Sequence, residues 1–370
     1  MAGYVLREGR MSMVLLARTL RDHLVPVLRP GDALVLDERS DAMPAAPLSP
    51  QGFPVKIEKR LWFPLRLRWK RFDILHIVDS DYAAAIPASR LSRAVVTCHD
   101  LMPLLHREHG LGEVFGRSGR YYFAKSMRKM SRCGRVVADS AFSRDCILKY
   151  TDCPTHRVEV VHLGIDLVRF QPMSKETPVL MDFQRRHGLV GKEVLLHVGG
   201  GAWYKNVETV LHVVHALVRA GHSNVVLLKI GHMTSEQAAL AERLGLHPRI
   251  VMLPRVTDEE LPLAYHAADL LLWPSWYEGF GLCVLEAMAC GTPVVCSSGG
   301  SLPEIAGDAA VMHDPKDMDG LAASCRKVLE DPAFRTRSRD AGLARSAKFR
   351  WERTASAYYR VYTELHSGAV

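Results

Sequence analysis

Glu278 and Glu286 stand eight residues apart in Pro274-Ser-Trp-Tyr-Glu-Gly-Phe-Gly-Leu-Cys-Val-Leu-Glu286, with two glycines between them. Carboxylates accept hydrogen bonds from hydroxyls, and glycines let a backbone come close to a ligand. The run before this stretch, Asp269 to Trp273, is apolar and reads as a buried strand. Leu282 to Ala289 suits a helix that Gly291-Thr292-Pro293 stops. Strand, glycine loop and helix N-terminus together present bare N–H groups and a positive dipole end to an anion. Two acids flanking such a cradle suit a diphosphate with hydroxyls on both sides, which is the layout of a sugar nucleotide.

A second glycine turn strengthens that reading. Gly199-Gly200-Gly201 follows the strand-like Leu195 to Val198 and precedes Trp203-Tyr204-Lys205-Asn206, so Lys205 stands where a phosphate needs a cation. His99 and Asp100 end another strand-like run and are placed to face a ligand. Asp79-Ser80-Asp81 could hold a divalent cation, but acids after a strand cap loops equally well and the phosphate devices lie elsewhere; no metal is expected. Gly9 suits a first strand–helix turn after a short strand, Gly3 to Leu6.

Positioning these groups requires alternating strands and helices. Strand-like runs at Ala33–Leu36, Phe72–Val78, Arg93–Thr97, Arg135–Ala138 and Val158–Val161 alternate with helical ones at Ser12–Leu24, Val114–Arg132 and Ala141–Tyr150. The pattern repeats after Phe170–Pro178, a stretch with linker composition. It predicts an α/β protein of two Rossmann-like, doubly wound parallel domains facing each other across a cleft. The expected division is 1–175, 176–348 and a C-terminal helix at 349–370 that crosses back to the first domain.

Bulk properties narrow the setting. The 370 residues exceed one comfortable core, and 48% apolar with 24% charged residues is ordinary for a soluble protein. No apolar run is long enough to span a membrane, and the N-terminus lacks the layout of a secretory signal. Eight cysteines without CxxC spacing predict buried free thiols and a reducing cytoplasm. Residues 1–175 hold 28 Lys+Arg against 18 Asp+Glu, whereas residues 176–370 hold 20 against 22. The first half therefore faces something anionic. Its densest patch, Lys56 to Arg71, interleaves seven cations with Trp62, Phe63 and Trp69. That predicts peripheral contact with anionic lipid at the inner face of the cytoplasmic membrane, against the plainer reading of a solvated amphipathic surface. No recognition module accompanies the charge, so nucleic acid is not an expected partner.

These stretches, with Thr97-Cys-His-Asp100, Asp139-Ser-Ala-Phe-Ser143, His162 to Pro172 and Ser301-Leu-Pro-Glu-Ile305, resemble the family-4 retaining glycosyltransferases of the GT-B fold over most of the chain. The resemblance implies hexose transfer from a nucleotide diphosphate sugar, GDP-mannose mildly before a UDP-sugar, to a hydroxyl of a lipid-linked or polysaccharide acceptor. It implies cell-surface glycan synthesis without a cofactor. Glu278 would then accept from the donor sugar's hydroxyls and Glu286 from the ribose. The amides of Gly279, Phe280, Gly281 and Leu282 would line sugar and diphosphate. Lys205, beside Gly199 and Gly200, would neutralise charge, and Arg255 with Val256 would lie at the base. His99 would touch the donor sugar or orient the attacking hydroxyl, making His99, Lys205 and Glu278 the catalytic set. Many relatives carry an arginine where this chain has Gly200. The alternatives are a sugar-nucleotide epimerase of the same fold and a non-catalytic membrane-associated scaffold.

Overall fold

The computed structural model describes residues 2–5, 11–38, 63–69, 71–108 and 115–368. The chain forms two compact units, Met1–Gly164 with Trp351–Val370, and Ile165–Arg350. Each is built on one six-stranded sheet.

In the first unit, strands β1 (Ala2–Val5), β2 (Val35–Glu38), β3 (Leu75–Ile77), β4 (Ala94–Cys98), β5 (Arg135–Ala138) and β6 (Val158–Val160) lie in the order β2-β1-β3-β4-β5-β6. Every pairing is parallel. The residues of β3, β4 and β5 are buried throughout, which is why these runs read as continuous rather than alternating apolar sequence. The helix Trp351–Ser367 belongs to this unit. A buried polar chain ties it to the sheet. His76 pairs with Thr97 Oγ1 and Tyr362 Oη, each at 2.8 Å, and Thr97 meets Tyr358 Oη at 2.9 Å. Burial drives His76 down to about 3, so the ring is neutral and spends one nitrogen as donor and one as acceptor. The helix start is seated on Gly164, where a Cβ would lie 2.4 Å from the Trp351 nitrogen.

The second unit contains β7 (Glu193–Val198), β8 (Val225–Ile230), β9 (Ile250–Leu253), β10 (Leu270–Trp273), β11 (Val294–Ser297) and β12 (Val311–His313), ordered β12-β11-β10-β7-β8-β9 and all parallel. The chain runs outward from β7 to β9, then returns to β10 and runs outward on the other side. The order therefore reverses between β7 and β10, and in open α/β sheets such a reversal is where ligands bind, at the C-terminal strand ends. Leu195, Leu227, Leu270 and Val295 from the sheet pack with Val210, Val214 and Leu321 from the covering helices into the buried core. Both turns singled out by sequence leave the sheet at this reversal.

The described residues contain no helix long and apolar enough to cross a membrane. Of the Lys56–Arg71 patch, residues 56–62 and 70 lie outside the described residues. Phe63–Trp69 is a helix in which Leu67 is buried in the core while Leu65 and Trp69 are exposed, Trp69 by 84%. Leu67, an apolar residue interleaved in the same patch, therefore faces the core. All eight cysteines are free, and every one but Cys283 is buried.

Candidate functional site

Lys205 and Glu278 meet at the strand reversal. Lys205 ends the short 3-10 turn Trp203–Lys205, and Asn206 follows in the left-handed region, φ 52. That conformation is strained for most side chains, and asparagine tolerates it because its amide bonds locally. Asn206 Nδ2 donates to the Pro274 and Pro315 carbonyls at 3.0 and 3.1 Å, and Trp276 N donates to the Tyr204 carbonyl at 2.8 Å. The two loops are thereby stitched together. Lys205 Nζ donates to Glu278 Oε1 at 2.8 Å, and it lies 4.5 Å from the Trp273 ring centroid. Burial works against the Lys205 ammonium, but the Glu278 carboxylate outweighs it and raises the lysine above its ordinary value.

The amides expected to line a diphosphate, Gly279 to Leu282, lead into the helix Leu282–Ala289. Gly281, φ 103, turns the chain into that helix, which is a conformation glycine alone adopts without strain. The amides of Leu282 and Cys283 have no acceptor among the described residues, as helix geometry dictates. Phe280 turns its side chain into the core, 6.0 Å from Phe349, so only its backbone is available to a ligand. A third loop, Ser297 to Ser301, buttresses the arrangement. Ser301 Oγ donates to the Glu278 and Phe280 carbonyls at 3.0 and 2.8 Å, and Ser297 Oγ donates to the Ser275 carbonyl. A Cβ on Gly300 would stand 2.5 Å from the Glu278 carbonyl oxygen, so this loop can press against the first only as glycine.

Glu286 lies one turn further along. Tyr265 Oη donates to its Oε2 at 2.7 Å. Burial raises the Glu286 carboxyl above its ordinary value, and the Tyr265 hydrogen bond and Arg169 hold the rise back. Cys283, between the two acids in sequence, is pushed up to about 12, by burial first and then by Glu286. It is an inert thiol.

Of the remaining expected residues, Arg255 and Val256 fall on another loop of the second unit and His99 belongs to the first unit. Arg255 and Val256 leave the C-terminal end of β9, two strands from β7, and Arg255 is exposed. In the first unit His99 bridges three strand ends. Its Nδ1 contacts Asp139 Oδ2, after β5, at 2.5 Å, and its Nε2 donates to the Val78 carbonyl, after β3, at 2.7 Å. With a carboxylate on one nitrogen and a carbonyl on the other, both nitrogens must donate, so the ring is an imidazolium. Burial opposes the charge, yet Asp139 and Asp79 lift His99 to about 9. It is a fixed cation rather than a base with a vacant nitrogen. Asp79 accepts from the Asp81 amide at 3.0 Å and caps the 3-10 turn Ser80–Ala85. The described residues hold no group of three or more His, Cys, Asp or Glu able to bind a metal ion. Gly9 lies outside the described residues.

Comparison with known proteins supplies what geometry alone does not. Residues 12–169 match the family described as Glycosyltransferase Family 4, and residues 182–345 match Glycosyl transferases group 1. The O-antigen chain mannosyltransferase B of Escherichia coli is 32% identical over 319 residues, covering 84% of this chain and 81% of that protein. The chain belongs to the family-4 glycosyltransferases. Sucrose-phosphate synthase from Thermosynechococcus elongatus superposes with a TM-score of 0.77 at 19% identity, over 99% of both chains. The Anabaena protein HepE in complex with UDP and glucose superposes with a TM-score of 0.75 at 16% identity, over 98% of this chain and 99% of that one. The fold of this glycosyltransferase is therefore GT-B.

Several site residues of the glycosyltransferase escaped the sequence reading. Asn206 and Ser301 fell inside stretches that carried the resemblance, but their bonding roles depend on loops distant in sequence. Tyr265 is hidden in an apolar helix. Lys229 is fully buried in β8 and donates to the Gly199 and Ile230 carbonyls. Its signal was available: a lone lysine inside Val225-Val-Leu-Leu-Lys-Ile230 contradicts an otherwise buried strand.

Proposed function

We propose that this glycosyltransferase moves a hexose, mannose before glucose, from a nucleoside diphosphate sugar to a hydroxyl of a lipid-linked or polysaccharide acceptor in cell-surface glycan synthesis, with retention at the anomeric carbon. The observation that carries the reading is the Lys205–Glu278 pair, standing at the strand reversal beside unaccepted helix amides. Mannose is favoured because the relative from E. coli is an O-antigen chain mannosyltransferase. HepE, bound to UDP and glucose, supports a nucleotide-sugar donor in a neighbour of this fold.

On this reading the amides of Gly279 to Leu282 and the Lys205 ammonium take the diphosphate, each charged hydrogen bond contributing roughly 1.5–3 kcal/mol. Glu278 and Glu286 accept from sugar and ribose hydroxyls, and Arg255 with Val256 lies at the base. The donor C1–O bond to phosphate breaks as the acceptor oxygen bonds C1. The acceptor's proton passes to the departing phosphate oxygen, whose charge Lys205 and the amides stabilise. No enzyme nucleophile is needed, so attack comes from the face the diphosphate leaves. His99 contributes fixed positive charge, and the first unit takes the acceptor. Exposed Trp69 and Leu65 beside Arg68 suit contact with an anionic lipid surface.

The test is a transfer assay over GDP-mannose and UDP-glucose with polyprenyl-linked acceptors, reading the product's anomeric proton coupling. Undiminished transfer by Lys205→Ala, Glu278→Ala and Glu286→Ala would remove the proposal. Conversion of the nucleotide sugar without acceptor would replace it with epimerisation.

A further inference from the structure

Two ammonium groups sit at the strand reversal and only one carboxylate is bonded to either of them. Lys205 has Glu278, whereas Lys229 makes no ion pair among the described residues. Lys229 is fully buried, which is a costly place for a charge without a counter-ion. Its bonded partners are two carbonyls, Gly199 and Ile230, the latter at 3.0 Å. A methionine would fill the same space in β8 without that cost, so packing alone does not account for the ammonium.

The placement of the Gly199 carbonyl explains more. Gly199, φ 128, leaves β7 with its own amide bonded to the Ile230 carbonyl at 2.9 Å. Its carbonyl is wedged against Gly231, where a Cβ would stand 2.3 Å from that oxygen. The described chain has no cis peptide, so the Gly200 N–H points away from the carbonyl that Lys229 holds. Gly200 itself has nothing within 4 Å of a would-be Cβ, which places open space on its side of the loop.

We propose that Lys229 is a positioning residue for the donor's diphosphate: from beneath the glycine loop it holds the Gly199 carbonyl, turns the Gly200 amide outward, and supplies a second positive charge in place of an arginine at position 200. The proposal rests on the donor-site reading above. The groups facing Lys229 agree with it. His197 stands opposite in the β7 register and Met252 in that of β9. His197 is kept neutral by burial first, then by Lys229 and Lys205. Lys205, raised by its carboxylate, keeps its proton well above neutrality. Burial, and then Lys205, bring Lys229 down to about 8. An arriving diphosphate adds the missing negative charge and keeps the Lys229 ammonium protonated.

Calorimetric titration with GDP, UDP and inorganic pyrophosphate tests this from pH 7 to 9.5 on the full chain. Wild-type affinity for diphosphates should fall as pH rises through about 8, because binding then requires a proton. Lys229→Met should bind about tenfold more weakly at pH 7 and show no such decline. A lysine that only packs would not produce the pH dependence. Binding by Lys229→Met within twofold of wild type at pH 7, or a variant that keeps the wild-type decline, overturns the proposal. If the variant does not fold, a wild-type affinity that is flat across the range overturns it equally. Loss of diphosphate binding in Lys205→Ala with none in Lys229→Met removes only this inference. No diphosphate binding by the wild type removes the donor-site reading beneath it.

Discussion

Lys205 Nζ lies 2.8 Å from Glu278 Oε1, across 73 residues of sequence, with the two side chains 15% and 10% exposed. The cation proposed for a phosphate and the acid proposed for a sugar neutralise each other. One carboxylate oxygen and two ammonium hydrogens remain for a ligand. On the proposed reading the site is held ready by its own charges, and a donor would enter by sharing the pair rather than creating it.

Removing one partner should therefore cost stability as well as turnover. Lys205→Met leaves Glu278 buried without its cation, destabilising the fold by about 1–3 kcal/mol and lowering transfer by roughly 10²–10³. Adding Glu278→Gln should recover most of the stability and none of the rate. Chemical denaturation and initial rates on the four proteins of the cycle check both halves.

Glu286 should trade stability for binding. Its folded carboxyl is raised by burial, so the folded chain holds a proton more tightly than the unfolded one. Stability from that proton is present below the ordinary value of 4.5 and is lost as pH rises through the folded value. Glu286→Gln, still able to accept from Tyr265, should match wild type at pH 4 and exceed it in stability at pH 7. Donor affinity should drop. Denaturant midpoints at the two pH values, with nucleotide titration, decide it.

His99 titrates in the opposite sense to an isolated buried imidazole. Lifted to about 9, it lends the fold stability that is complete below its ordinary 6.5 and disappears as pH climbs through 9. Asp139→Asn should remove on the order of 3 kcal/mol at pH 6 and little at pH 10. The His99 ring protons, followed by NMR, should titrate near 9 in wild type and close to the ordinary value in the variant.

Gly200 offers room for a gain. A Cβ there meets nothing, and its φ lies outside the left-handed region. Gly200→Arg should fold normally and bind GDP or UDP several-fold more tightly, by one charged hydrogen bond. Gly231→Ala is the contrasting change. With φ 92 and a Cβ 2.3 Å from the Gly199 oxygen, it should lose about 1–3 kcal/mol and displace the loop. Thermal melts with and without nucleotide separate the two.

Much of this protein was legible in its residues. Apolar runs marked the strands because parallel strands are buried on both faces. The helix Leu282–Ala289 and the strand before it fell where capping and periodicity put them, since both signals are local. Glu278 and Glu286 stand where their spacing puts them for the same reason, as both belong to one continuous loop and helix.

Tertiary structure decided what depends on strands meeting out of sequence order. Only the β7–β10 adjacency brings Lys205 onto Glu278, only the Ser297–Ser301 loop locks the cradle, and only the β7–β8 pairing sets Lys229 beneath Gly199. His99 likewise became a cation through Asp139, forty residues away. Residue type and spacing fix which atoms can donate or accept. Charge state and partner depend on burial and on the neighbour across the sheet, and those exist only once the chain has folded.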